Sequence, residues 1–287
     1  MPAVIVNYSL SFNGQVFGGA GSPYQVLSID GLESLPGIRN QDDNRGYADG
    51  MFSGRDFLSG RNISIIFNTF ATAGFSAQDN YNTIQRALLP QTSGTTPLYF
   101  ILSNTLTEQV IYTRVRALRT SVDPNYTYGY ITSQVEFFCP DPLYYDSNEQ
   151  TALLAYTPPT GRVYDRIYNL VYGGGSVLIT TTITNNGWTD TYPVIVLNGP
   201  IDNPVLGNTT QNASLEFQGT YSSADFLEVD LYNKLITLNG SPARNLLIQG
   251  TWFSASPGNN SFYLSGAPSS TLVNVTQATV SWQSAYI

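Results

Sequence analysis

Histidine is absent from this chain of 287 residues, and cysteine and lysine occur once each, as Cys139 and Lys234. Without an imidazole, the usual general base of serine and cysteine hydrolases is missing, and so is the commonest zinc ligand. A single cysteine excludes any internal disulfide, and Cys139, preceded by Phe137 and Phe138, reads as a buried, inert thiol. Charge is scarce as well. Asp, Glu, Lys and Arg make up 11% of the chain, so its surface must be built largely from neutral polar groups, which suits packing against other protein. The net charge is −8: eight arginines against ten acidic residues leave −2 on residues 1–140, and three arginines with Lys234 against ten leave −6 on the rest. So few cations argue against a nucleic-acid partner, because phosphate binding works by displacing condensed counterions. The N-terminal MPAVIVNYSLSF has neither a basic region nor a long apolar stretch. Neither a signal peptide nor a membrane span is expected there, and the product is expected to be soluble and made in the cytosol. Gly173-Gly-Gly-Ser176 lacks the lysine and the following helix of a phosphate-binding loop and reads as a turn.

What is present is period-two alternation, clear in residues 23–29 and 110–118 and broken by Gly, Asn, Asp and Pro clusters, which marks a mainly β protein. One segment reads as helix, over 77–89: Ser76 can cap it with Asp79 three residues on, Tyr81, Ile84 and Leu88 share a face, and Pro90 ends it. The runs 110–119 and 126–138, joined by the turn chemistry of Val122-Asp-Pro-Asn125, predict a long hairpin. In its second strand Tyr126, Tyr128 and Tyr130 fall on one face and Ile131, Val135 and Phe137 on the other. That aromatic row either covers a core or meets an adjacent subunit. Residues 143–160, with paired prolines and little periodicity, read as the crossing between two domains, 1–145 and 146–287. Beyond it, short apolar segments at 176–183, 193–197, 213–217, 226–231, 234–238, 246–249, 261–264 and 271–283 predict a β-sandwich. Tyr232-Asn233 reads as a tight hairpin turn with Asn233 at positive φ.

Candidates for chemistry are few. Asp42, Asp43, Asp49 and Asp56 crowd a Gly-rich stretch where a glycosidase pair or a calcium ion could sit, although EF-hand spacing is absent and turn formation accounts for them. Trp282 alternates with Val280 as a core residue does, whereas Trp188, in Asn185-Asn-Gly-Trp-Thr189, is the better platform for stacking on a sugar ring. Arg114 and Arg116, on the first hairpin strand with Tyr112 and Val115, read either as solubilising groups or as donors to carboxylates of a neighbouring subunit. No catalytic, cofactor or metal site follows from these residues.

A series of local patterns, in order, resembles the distal tail protein family of siphophages, the siphovirus-type tail components. It runs through Ile29-Asp-Gly-Leu32, Pro36-Gly-Ile-Arg39, Asp49-Gly50, Gly60-Arg-Asn-Ile-Ser-Ile65, the helix ending Ala87-Leu-Leu-Pro90, and Val135-Glu-Phe-Phe-Cys-Pro-Asp-Pro142 with Leu143-Tyr-Tyr145. In the second half Tyr192-Pro193, Gly199-Pro200, Asn203-Pro204, Ser256-Pro-Gly-Asn259 and the terminal Val280-Ser-Trp-Gln-Ser-Ala-Tyr286 fit as well. The resemblance implies an N-terminal β-sandwich with one helix and a long hairpin that closes a ring, usually of six copies, between the tail tube protein and the baseplate hub. It further implies a peripheral galectin-like β-sandwich, although a His-x-Asn-Pro-Arg-type sugar site is lacking, and possible contact with receptor-binding proteins. The expectation is a non-enzymatic structural protein of the virion, at the distal end of the tail. The alternative is a carbohydrate-binding module built around Trp188.

Overall fold

In the computed structural model, which describes residues 9–102, 107–121, 126, 129–156, 178–267 and 277–287, strands dominate and one α-helix interrupts them. The chain divides into two units, Met1–Ser147 with Tyr286–Ile287, and Asn148–Ala285.

The first unit begins with β1 (Ser9–Phe12), β2 (Gln15–Phe17) and β3 (Tyr24–Asp30). Four two-residue strands follow: β4 (Ile38–Arg39), β5 (Asp43–Asn44), β6 (Met51–Phe52) and β7 (Phe57–Leu58). Then come β8 (Arg61–Phe70), the helix α1 (Ala77–Ala87), β9 (Thr96–Ile101), β10 (Gln109–Ser121), β11 (Tyr130–Cys139) and β12 (Tyr144–Asp146). Strict alternation makes β8 and β11 strands: Ile63, Ile65 and Phe67 face inward from one, Ile131, Val135 and Phe137 from the other.

One sheet runs β11-β8-β3-β2-β1-β9-β10-β12, and the C-terminal β25 (Ala285–Tyr286) extends it beyond β12. Strand β10 changes partner along its length. Gln109 to Thr113 pair with β9, whereas Arg114 to Ser121 pair with β11, so the sheet folds over and closes on itself. Phe12 on β1 consequently meets Phe137 on β11 with ring centroids 5.0 Å apart, across a core that also holds Leu10, Phe17 and Phe100. Helix α1 covers one end. Ser76 caps it with a reciprocal bond to Asp79, as the sequence predicts, and Ile84 and Leu88 are buried beneath.

In the second unit β13 (Gln150–Ala155), β24 (Gln277–Trp282), β15 (Val194–Asn198), β19 (Phe226–Asp230), β20 (Leu235–Leu238) and β21 (Ser241–Pro242) form one sheet in that order. The other is β14 (Thr180–Asn185), β23 (Gly258–Ala267), β16 (Ile201–Asn208), β17 (Ala213–Phe217) and β22 (Leu247–Gly250), with β18 (Thr220–Tyr221) on β16. Ile195, Leu197, Val229 and Val280 of the first sheet and Leu206, Leu215, Phe217 and Phe262 of the second fill one core.

Four sequence expectations are corrected. The stretch 143–156, read as part of a crossing with little periodicity, carries two strands, because β12 pairs with β10 and β13 pairs with β24. Strand β16 went unread because Pro204 breaks its pattern; the register shift between Asp202 and Val205 accommodates the missing donor. In the 231–234 turn the Asp230 carboxylate accepts the N–H groups of Tyr232 and Asn233, each at 2.9 Å, and the positive φ falls on Lys234 instead of Asn233. Strand β11 starts at Tyr130, after Gly129 at φ +86°, so Tyr126 is not on it and the row of three tyrosines is not a strand face. Tyr128, the turn 122–125 and Gly173–Ser176 lie outside the described residues.

Candidate functional site

The hairpin face expected to meet a neighbour carries exposed arginines. On β10 the parity that buries Ile111, Thr113 and Val115 turns Tyr112, Arg114 and Arg116 outward. Arg114 Nε donates to the Gly94 carbonyl at 2.7 Å. Arg116 occupies the register shift between Val115 and Ala117, where the strand gains a residue, and its guanidinium lies 4.9 Å from the centroid of the Phe138 ring. Further along, Arg119 pairs with Glu136 at 2.7 Å. Tyr130 stacks on Phe70 at 5.5 Å, and Tyr126 is exposed. Arg114 and Arg116 thus share one face, with their charges uncompensated by any carboxylate among the described residues, and Tyr126 and Tyr130 are not part of the same strand row.

A second feature was missed by sequence reasoning. Residues 37–58 fold back on themselves as a nested ribbon, with Ile38 opposite Leu58, Arg39 opposite Phe57, Asp43 opposite Phe52 and Asn44 opposite Met51. No residue of this arm is buried. Ile38, Tyr47, Met51, Phe52 and Leu58 are all exposed, Tyr47 completely. Arg39 and Arg55 lie over the Phe57 ring and Arg45 over Phe52, at 5.2 to 5.5 Å. Asp42 closes the ribbon through the Gly54 N–H at 2.8 Å; Gly54 is required there because a Cβ would run into the Gln41 carbonyl.

The root of the arm is held by a buried cation. Arg61, 2% exposed, donates to the carbonyls of Gly31, Leu32, Ser34 and Pro142 and lies 5.7 Å from the Tyr144 ring centroid, while its Nη2 has no partner. Burial lowers its pKa from the ordinary value, an effect opposed by Tyr144 and Cys139. The chain enters the arm just after Ser34 and leaves it just before Arg61, so one side chain clamps both ends. Gly31 sits at φ +82° against the Asn62 carbonyl, which leaves no room for a Cβ and brings the two ends together. A signal was present in the sequence: Arg61 has the same strand parity as Ile63, Ile65 and Phe67, an arginine in a core position.

The acidic cluster shows no catalytic arrangement. Asp42 serves the ribbon turn, Asp43, Asp49 and Asp56 are exposed, and no group of three or more His, Cys, Asp or Glu that could hold a metal is gathered among the described residues. Cys139 is fully buried, and burial pushes its thiol up to about 12. Trp282 is 7% exposed and donates Nε1–H to the Thr184 carbonyl at 3.0 Å; Trp188 is 69% exposed, with its backbone N–H bonded to the Ala285 carbonyl. Near it, three buried asparagines organise one end of the sandwich. Asn185 donates to the Thr189 and Ala255 carbonyls, Asn208 to the Ser254 carbonyl, and Asn260 to the Ser256 carbonyl.

Comparison with known proteins shows what the chain is similar to. No curated protein sequence matches the chain. Residues 186–286 match the model of the siphovirus-type tail component, C-terminal domain. The crystal structure of the Dit protein of phage SPP1, described as a paradigm of the hub adsorption apparatus in phages infecting Gram-positive hosts, superimposes with a TM-score of 0.65. The alignment covers 98% of this chain and 99% of that one at 16% identity. A chain of the phage P2 baseplate, in its activated conformation with calcium, aligns over 97% of this chain and 98% of its own at 9% identity, with a TM-score of 0.51. Residues 186–286 are thus similar to the C-terminal domain of siphovirus-type tail components, and the chain shares the fold of the SPP1 Dit protein.

Proposed function

We propose that this protein is a structural component of the distal end of a phage tail. Copies of residues 1–145 would form a closed ring, of six in the reading implied by the family, that joins the tail tube protein to the baseplate hub. Residues 146–287 would form a peripheral galectin-like sandwich that scaffolds adsorption proteins. The observation that carries this reading is the end-to-end likeness to SPP1 Dit. The side-chain inventory is consistent with it, because a chain without histidine, with a buried thiol and with an exposed arginine face has surfaces for assembly and few groups for bond-making. Arg114, Arg116, Tyr126, Tyr128 and Tyr130 are the residues assigned to the subunit contact. Closure of a ring needs a head-to-tail contact in which two different patches of the same chain meet.

The test is the oligomeric state of the purified chain by mass photometry and negative-stain imaging across a concentration series. A single closed ring, with contacts burying about 1,000 Å² or more, is expected. A strict monomer at every concentration would end the ring reading.

The exposure of Trp188 favours a second reading, a carbohydrate-binding surface on the second unit. Glycan-array binding by the full chain that is lost in Trp188→Ala would support it, and an array without signal would remove it.

A further inference from the structure

Two surfaces of the first unit carry charges of opposite sign that find no ionic partner among the described residues. The arm presents Asp43, Asp49 and Asp56, none of which forms an ion pair or a side-chain hydrogen bond among the described residues, and Asp42, which accepts from the neutral Gly54 and Asn40 groups. The three guanidiniums of the arm lie over its own aromatic rings, as Arg116 lies over Phe138, and four carboxylates against three guanidiniums leave the arm a net charge of −1. The face of β10 presents Arg114 and Arg116, whose contacts are a backbone carbonyl and a ring. The arm also has an apolar problem. A two-stranded ribbon without a core is marginal in water, and this one exposes Ile38, Tyr47, Met51, Phe52 and Leu58. Even so its root is fixed by Arg61, a buried cation spent on four main-chain carbonyls. A segment held firmly at its base and left bare along its length is built to be covered by something at a defined angle.

We propose that the arm, residues 37–58, docks across the Arg114/Arg116 face of a second copy of this chain, its carboxylates paired with those guanidiniums and its apolar side chains covered by that copy. The occupant is a second copy because the complementary charges lie on separate patches of one chain, which makes the contact head-to-tail and able to close. Arg61 acts as a positioning residue that sets the angle of the arm. The inference rests on the ring reading above and names the contact that closes it.

Charge exchange tests it. In the full chain, Asp43→Arg with Asp49→Arg is expected to lower the ring fraction at fixed protein concentration at least tenfold, and so is Arg114→Glu with Arg116→Glu. Mixing the two variants should restore rings of alternating composition, in which every contact is again complementary, and placing all four changes in one chain should restore rings of that chain alone. Rings unaffected by the arm reversal, or no recovery in the fourfold variant, would overturn the docking while leaving the ring reading intact. A parent chain that never forms rings removes both. Since a fourfold variant can lose its fold, a second measurement is independent of charge: Asp49→Cys with Arg114→Cys, made possible by the burial of Cys139. Mild oxidation with copper phenanthroline should give a ladder of disulfide-linked copies up to the ring number. Monomer alone on a reducing-agent-free gel would overturn the contact.

Discussion

The arm at residues 37–58 and the loops at the asparagine-lined end of the sandwich are both irregular, polar and glycine-containing, yet they are ordered by opposite means. In the sandwich the order comes from inside. Asn208 and Asn260 are fully buried, the Asn208 carbonyl oxygen accepts the Thr210 N–H at 3.0 Å, and the Asn260 carbonyl oxygen accepts the Ser256 N–H at 3.0 Å, so each amide stands in for a missing stretch of ladder. In the arm nothing is buried: short ladder bonds and the Asp42 bond to Gly54 run within it, and its buried anchor is Arg61 at the base. A loop completed by its own buried amides is finished in the isolated chain; an arm whose buried anchor is at its root gains its remaining stabilisation from a surface it has yet to meet.

The contrast can be broken most sharply at Arg61. Arg61→Met leaves four carbonyls at the arm root without their donor, and the first unit should lose about 3 to 5 kcal/mol. Because Trp188, Trp252 and Trp282 all lie in the second unit, tryptophan fluorescence reports that unit alone. Arg61→Met should therefore shift the circular-dichroism transition in urea and leave the fluorescence transition in place; equal shifts in both would show that the two units unfold together. Asn208→Leu is the mirror experiment. It preserves volume but orphans the Ser254 carbonyl and the Thr210 N–H, at a cost of about 2 to 3 kcal/mol, and it should move the fluorescence transition.

Smaller effects sharpen the same comparison. Ser76→Ala removes the helix cap and should cost about 1 kcal/mol in the first unit. The Ser76 hydroxyl and backbone N–H hold the Asp79 carboxyl below its ordinary value. With the folded pKa depressed, this contribution is complete above the unfolded value of 3.8 and is lost as pH falls through the lower folded one. Ser76→Ala should return the Asp79 titration, followed by carboxyl carbon NMR, toward 3.8. At the bottom of the scale, Tyr47→Ser and Phe52→Ser should change the stability of the monomer by less than about 0.5 kcal/mol. A larger loss in the monomer would mean that the arm packs on its own chain.

Much of the architecture was legible because it rests on local chemistry. The capping pair Ser76 and Asp79 announced α1, and the alternation at 23–29 and 110–118 and the run 126–138 announced β3, β10 and β11 as strands. The asparagines and the arm were not legible for a shared reason. Asn208 is buried only because β16 runs beside β23 and beneath the 252–258 loop, and two-residue strands such as β4 and β7 carry no pattern long enough to show a period. The outward parity of Arg114 and Arg116 is a property of β10, but the register shift that seats Arg116 over Phe138 is a property of the pairing, not of either strand.

Composition and two-residue periodicity were enough to specify a mainly β chain with one capped helix and few groups suited to catalysis, since those features depend on side chains a few residues apart. Tertiary structure alone decided that β10 would serve two partners and close its sheet, that an arginine would be buried against four carbonyls, and that the residues between Gly37 and Leu58 would stand clear of any core. The physical reason is range. A hydrogen-bond ladder or a buried guanidinium is satisfied by groups tens of residues away, and the choice among those distant acceptors is made only when the competing surfaces are packed together.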